Sequence, residues 1–144
     1  MTLANQNRSL SDVRVGENLP PVIFPLSVYR LVMWAGAGRD FNSIHHNTEW
    51  AQQTGAPEMY ANTLMLMGGW ERLVREWAGP GATITSIRGF RMRRFNVVGE
   101  TIRITGTVST VDDDIVTVAA ATSDSTGVTV GPGSVLVRLP GAVS

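Results

Sequence analysis

His45 and His46 are the side chains of this sequence that exchange a proton near neutral pH without a large shift. Acid–base chemistry needs such a group, with a second titratable group, within reach of one reacting atom. Asp40 stands five residues before His45 in the polar run Arg39-Asp-Phe-Asn-Ser-Ile-His45. A loop of that length can bring both side chains to one point. On spacing alone the plainer reading is favoured: Asp40 caps the turn after Gly38 and His45 is a polar surface group. No metal site is expected, because the two histidines lack the His-x-x-x-His spacing of a helix face and cysteine is absent.

The inventory excludes other chemistry. With no cysteine there is no disulfide framework, thiolate metal site or cysteine nucleophile. All 12 basic residues are arginine, so a lysine Schiff base and a phosphate-loop lysine are out. Basic and acidic residues balance at 12 each, which argues against a dedicated nucleic-acid binder. No secretory signal and no apolar run near bilayer length is visible, so a soluble cytoplasmic protein is expected.

The elements that must position Asp40 and His45 follow from punctuation and periodicity. At 144 residues the chain is expected to be one domain, 1–144, with residues 1–14 loosely ordered. Three prolines in Pro20–Pro25 make that segment an edge or extended piece. Ser27 caps a helix from Val28 to about Trp34, which Gly36 and Gly38 should stop. Asn47 or Thr48 caps a short helix through Gln53. Ala61 to Trp77 has helical spacing and is apolar nearly all round in its first half, which predicts a buried helix. Gly68-Gly69 costs propensity there, offset by close approach of another backbone. Glu71/Arg75 and Arg72/Glu76 are spaced for favourable pairing. Consecutive strands follow: Ile84 to Phe95 interrupted by Gly89, Thr101 to Val108, Ile115 to Ala121 and Ser134 to Leu139. One helix and then antiparallel strands predict an α+β fold, the sheet curled around the helix.

Asp40-Phe-Asn-Ser-Ile-His45 resembles the signature of the MaoC-like dehydratases, the R-specific enoyl-CoA hydratases of the hot-dog fold. The small-residue run Ala35–Arg39, the apolar helix about twenty residues later and Val97-Val98-Gly99-Glu100 are similar to the family pattern too. The resemblance spans roughly residues 15–140 and implies an antiparallel sheet wrapped around a long central helix. It implies that Asp40 and His45 are the catalytic pair and that Asn42 holds the loop. The reaction implied is hydration of a trans-2-enoyl thioester to the R-3-hydroxyacyl thioester, or the reverse. The pair would deprotonate a water that attacks Cβ and supply a proton at Cα. The Thr63 N–H, at the start of the central helix, would hold the thioester oxygen beside Asn62. No cofactor is implied beyond the coenzyme A or phosphopantetheine of the substrate. Three residues depart from the pattern: Asn62-Thr63 stands for His-Gly, Ser43 for proline and Arg39 for glycine.

Arg88, Arg91, Arg93 and Arg94 lie close together. On a strand, Arg91 and Arg93 would share one face and Arg88 and Arg94 the other. Arg91, Arg93 and Arg94 either contact the phosphates of the carrier or lie on a solvated strand with cross-strand ion pairs. Tryptophans and methionines are expected in the core and the acyl pocket. His46 has no role by resemblance, and Asn47 is read as a helix cap. Two other functions stay open: a hot-dog thioesterase using Glu71, and a partner subunit of a heteromeric hydratase, suggested by Asn62-Thr63. Unpaired sheet edges and the family pattern both point to a dimer or dimer of dimers, homomeric or with a second hot-dog subunit.

Overall fold

The structure, a computed structural model, describes residues 6–140. Its elements are β1 (Val22–Pro25), α1 (Val28–Gly38), α2 (Thr48–Gln53), α3 (Thr63–Ala78), β2 (Thr83–Arg88), β3 (Thr101–Asp112), β4 (Ile115–Asp124) and β5 (Gly127–Arg138), with short 3-10 turns at Leu10–Asp12 and Ser43–His45. The strands form one antiparallel sheet in the order β1-β3-β4-β5-β2. This is the α+β hot-dog architecture that the sequence predicts.

One face of α3 seats on the sheet. Leu66, Trp70, Leu73, Val74 and Trp77 meet Ile102, Ile104, Val108, Val118, Val130, Val135 and Val137 in one core. Burial alternates cleanly over the first half of β3, the pattern of a sheet with one covered face. Fully burying a Leu or Val side chain contributes about 1.5–3 kcal/mol. The Glu71–Arg75 and Arg72–Glu76 pairs, both at 2.7 Å on the solvent side, contribute at most a few tenths each. Packing therefore holds this helix. The Trp70 Nε1–H donates to Thr122 Oγ1 at 2.9 Å, which satisfies the polar edge of a ring with no exposed surface.

Several expectations need correction. The first half of α3 is not buried all round: Leu64 is 62% exposed and Gly68 faces open space. At Gly69 the close neighbour is the Ile104 side chain, not a backbone; a Cβ there would stand 2.4 Å from Ile104 Cδ1. Helix α1 runs through Gly36 and Gly38, since its packing outweighs their poor propensity, and ends only where Arg39 turns left-handed at φ 54°. Strand β2 stops at Arg88, because Gly89 takes φ +65° against the backbone of Gly133. Beyond it the chain meets other segments through isolated bridges at Met92 and Val97 and single backbone hydrogen bonds rather than as a strand, so the strand alternation assumed for Arg91, Arg93 and Arg94 does not hold.

The N-terminal segment, expected to be loose to residue 14, is tied down from residue 7, where Asn7 Oδ1 accepts from the Gly81 N–H at 2.6 Å; residues 1–5 lie outside the described residues. The Arg8 N–H donates to the Ala78 carbonyl at 2.9 Å, and the Arg8 guanidinium lies over the Trp77 ring at 4.7 Å and pairs with Glu17. Trp77 Nε1–H donates to the same carboxylate at 3.0 Å. Burial pushes the Glu17 carboxyl up, but the hydrogen bonds from Trp77 and Arg14 and the Arg8 charge outweigh it and hold the group below its ordinary 4.5.

Two predictions follow from these contacts. Gly68→Ala should raise the melting temperature by a few degrees, as about 1 kcal/mol of propensity is recovered in open space, while Gly69→Ala gains less because Ile104 must move; an equal or larger gain at Gly69 would contradict the seating of α3 on β3. A lowered carboxyl stabilises above its unfolded value and loses that contribution as pH falls through the folded one. The melting temperature should therefore fall more steeply below pH 4.5 in the wild type than in Glu17→Gln; parallel curves would show that the clamp adds nothing.

Candidate active site

Three short-range features deliver the candidate pair. At the end of α1 the Arg39 N–H still bonds back to Gly36, while its left-handed backbone turns the chain away and the Asp40 N–H bonds to the Ala35 carbonyl at 3.0 Å. Such a conformation strains a residue with a Cβ. That accounts for glycine being common at this place in the resembling family. Asn42 then caps the 3-10 turn, its Oδ1 accepting from the Ile44 N–H at 3.3 Å. Its own N–H donates to Asp40 Oδ1 at 3.3 Å. Asn47 caps α2 through the Trp50 N–H, the role expected of it.

His45 is buried, and both its ring nitrogens have neighbours. Nδ1 lies 2.7 Å from the Tyr60 carbonyl. A carbonyl only accepts, so Nδ1 carries the proton and a neutral ring presents its lone pair at Nε2. Nε2 lies 3.3 Å from Asp40 Oδ2. The Asp40 side chain keeps 30% of its surface, against 9% for His45, so the carboxylate is the member more open to a ligand. Asp40 and His45 thus converge, against the plainer reading that their spacing alone favoured and in line with the resemblance.

Tyr60 was not singled out by the sequence. Its N–H donates to the Ile44 carbonyl at 3.3 Å while its carbonyl holds His45, so the two segments clamp each other. Its ring stands edge-on to His45 at 5.4 Å and leans on Phe95 at 4.7 Å. The Ala61 N–H donates to the Asn96 carbonyl at 2.9 Å, fixing the chain as it enters α3. A backbone carbonyl has no residue-type signature, so no motif could have revealed this role.

The start of α3 reaches the pair. Asn62 caps the helix, accepting from the Leu64 N–H at 2.6 Å, and its amide donates to Asp40 Oδ2. The Thr63 N–H, first of the helix, has no acceptor among the described residues. The Thr63 hydroxyl turns to Met92 Sδ at 3.3 Å. Arg39 makes no ion pair with Asp40. His46 points elsewhere, Nε2 standing 3.3 Å from the Phe41 carbonyl. Among the described residues no three metal-ligating side chains come together.

An apolar cleft of about 370 Å³ lies between α1 and the start of α3, lined by Phe24, Tyr29, Met33, Trp34, Ala37 and Met65. A second, of about 240 Å³, shares Phe24, Trp34 and Met65 and is lined as well by Gly68, Gly69 and Ile104. Ala37 and Met65, which line the first cleft, lie three residues before Asp40 and three after Asn62 in the chain; neither Asp40 nor His45 lines either cleft. The arginines divide. Arg93 Nε donates to the Gly131 carbonyl, and Arg94 holds Thr126 and the Val128 carbonyl beside Asp124. Both clamp the β4–β5 hairpin. Arg88 donates to Ser86 Oγ at 3.2 Å, and Arg91 has no side-chain partner among the described residues.

Comparisons with known proteins fit this arrangement. No family model matches the chain. Over 97 residues, 67% of the chain and 74% of the relative, it is 34% identical to the 3-oxo-4,17-pregnadiene-20-carboxyl-CoA hydratase beta subunit of Mycobacterium tuberculosis. A chain of the ChsH1-ChsH2 complex from Mycobacterium tuberculosis superposes with TM-score 0.84 at 30% identity, over 89% of this chain and 99% of that one. The R-hydratase PhaJ1 of Pseudomonas aeruginosa gives TM-score 0.84 at 19% identity, over 95% and 88%, which speaks for the fold alone. A protein described as a MaoC-like dehydratase gives 0.84 at 27%, over 93% of this chain and 43% of its own length. Identity to a hydratase subunit over most of that subunit's length, in the same fold, makes the chain a member of the MaoC-like hydratase and dehydratase family.

Proposed function

We propose that the chain is an R-specific hydratase/dehydratase subunit that interconverts trans-2-enoyl and 3-hydroxyacyl thioesters, with Asp40 and His45 as its catalytic pair. The observation that carries this reading is the approach of His45 Nε2 to Asp40 Oδ2, 3.3 Å apart, beside a helix start whose first N–H is unused. A water held between Oδ2 and Nε2 gives a proton to the pair as its oxygen bonds Cβ. Electrons of the double bond move toward the thioester carbonyl, and the oxygen gathers charge at the Thr63 N–H, where the helix dipole favours it. The proton then returns from the pair to Cα, so water has added across the bond and both side chains are restored. Asn42 holds the loop.

The acyl group occupies the clefts walled by Trp34 and Met65. Coenzyme A or phosphopantetheine comes with the substrate, and no further cofactor is required. Arg91, whose side chain has no partner among the described residues, is the arginine to meet its phosphates. Glu71, the alternative carboxylate for a thioesterase, is half-exposed and paired with Arg75 at 2.7 Å, which disfavours that reading.

The protein works as part of an assembly with a second hot-dog subunit, identical or different. Val28, Tyr29, Val32 and Met33 leave an apolar stripe on α1 in the open. Strand β2 is an edge with no proline to protect it, whereas β1 is short and ends in Pro25. The ChsH1-ChsH2 structure, one chain of which is 30% identical to this protein, is a complex by name. Among the described residues no helix is long and apolar enough to cross a membrane.

The assay is loss of enoyl-thioester absorbance with a graded panel of enoyl-CoAs, for the chain alone and mixed with a co-encoded hot-dog partner. Asp40→Asn and His45→Ala should each lower kcat/KM by about 10²–10⁴-fold. Unchanged rates in both variants would overturn the assignment. Full activity alone would reject the need for a different partner, and release of thiol from saturated acyl-CoAs would favour the thioesterase.

A further inference from the structure

We propose that Asn62 is a positioning residue that ties the aim of Asp40 to the cap of α3, so that the carboxylate and the helix start move as one unit. This rests on the assignment of Asp40 and His45 above. The Leu64 N–H is a donor, so the Asn62 atom 2.6 Å from it must be the oxygen. The amide nitrogen is then left to face Asp40 Oδ2, to which it donates. One planar amide thus does two jobs with its two ends.

The consequences for Asp40 are geometric. Its Oδ1 receives the Asn42 N–H at 3.3 Å and its Oδ2 the Asn62 amide. With both oxygens held, the carboxylate plane is set and Oδ2 is aimed at His45 Nε2, 3.3 Å away. The Thr63 N–H, proposed to receive the thioester oxygen, directly follows Asn62. The amide therefore fixes the distance between the group that handles the proton and the donor that meets the developing charge. This gives Asn62 a task that an ordinary helix cap lacks. Asp and Ser cap as well as Asn but present no amide donor beside the acceptor.

Three variants separate the two jobs. Asn62→Asp and Asn62→Ser keep the cap, so their melting temperatures should stay close to wild type. Each should lose about 10²-fold in kcat, as expected of a misplaced reacting group, with KM changed by no more than about threefold. Asn62→Ala loses both functions, so its melting temperature and its kcat fall together. Wild-type kcat in Asn62→Asp, with Asp40→Asn inactive, would overturn this inference and leave the catalytic pair standing. Activity retained in Asp40→Asn would overturn the pair instead. A readout independent of turnover is the side-chain amide signal of Asn62 in a ¹H–¹⁵N spectrum. It should move in Asp40→Ala while the backbone signals of α3 stay in place. An unmoved amide signal in that folded variant would equally overturn the proposal.

Discussion

A buried imidazole needs partners for both nitrogens, and in this chain the Tyr60 carbonyl supplies one of them at 2.7 Å. That bond places the proton on Nδ1 and turns Nε2 toward Asp40. Much of the surrounding structure serves to keep the Tyr60 carbonyl in place. Tyr60 is clamped to Ile44 on one side and bridged to Val97 on the other, and its ring rests on Phe95. The next residue is pinned to Asn96 just before α3 begins. The sheet therefore acts on the site indirectly, by fixing the irregular segment 89–100 against which Tyr60 leans.

The two ends of α3 are treated differently. At its C-terminal end Arg8, Glu17 and Trp77 are joined by hydrogen bonds, a cation–π contact and an ion pair. At its N-terminal end Leu64 is exposed, the Thr63 N–H is unused and apolar clefts stand open. The end that meets Asp40 and His45 keeps unsatisfied groups and uncovered apolar surface. That is the arrangement expected where a ligand and a partner subunit complete the structure.

Much of this was legible in the residues. Proline and serine at 20–27, the helical spacing of 61–77 and the strand runs from 101 and 115 all correspond to observed elements. The convergence of Asp40 and His45 was legible only through the resemblance of 40–45 to a known signature, since the spacing alone favoured a plainer reading. What stayed hidden was carried by the backbone or by long-range packing. Gly36 and Gly38 read as stops, yet α1 continues until Arg39 accepts a left-handed turn. Arg93 and Arg94 read as strand residues, yet Gly89 ends the strand and both arginines grip carbonyls of the β4–β5 hairpin. Asn62 read as a departure from a motif, and its amide proves to join Asp40 to the helix cap.

The central claim is that a water and a thioester meet at the start of α3, between Asp40, His45 and the Thr63 amide. A crystal structure with a bound R-3-hydroxyacyl-CoA tests it most directly. The account predicts the 3-hydroxyl oxygen within hydrogen-bonding distance of Asp40 Oδ2 and His45 Nε2, the thioester oxygen on the Thr63 N–H, and the acyl group against Trp34 and Met65. A ligand seated with its hydroxyl remote from both side chains would contradict it.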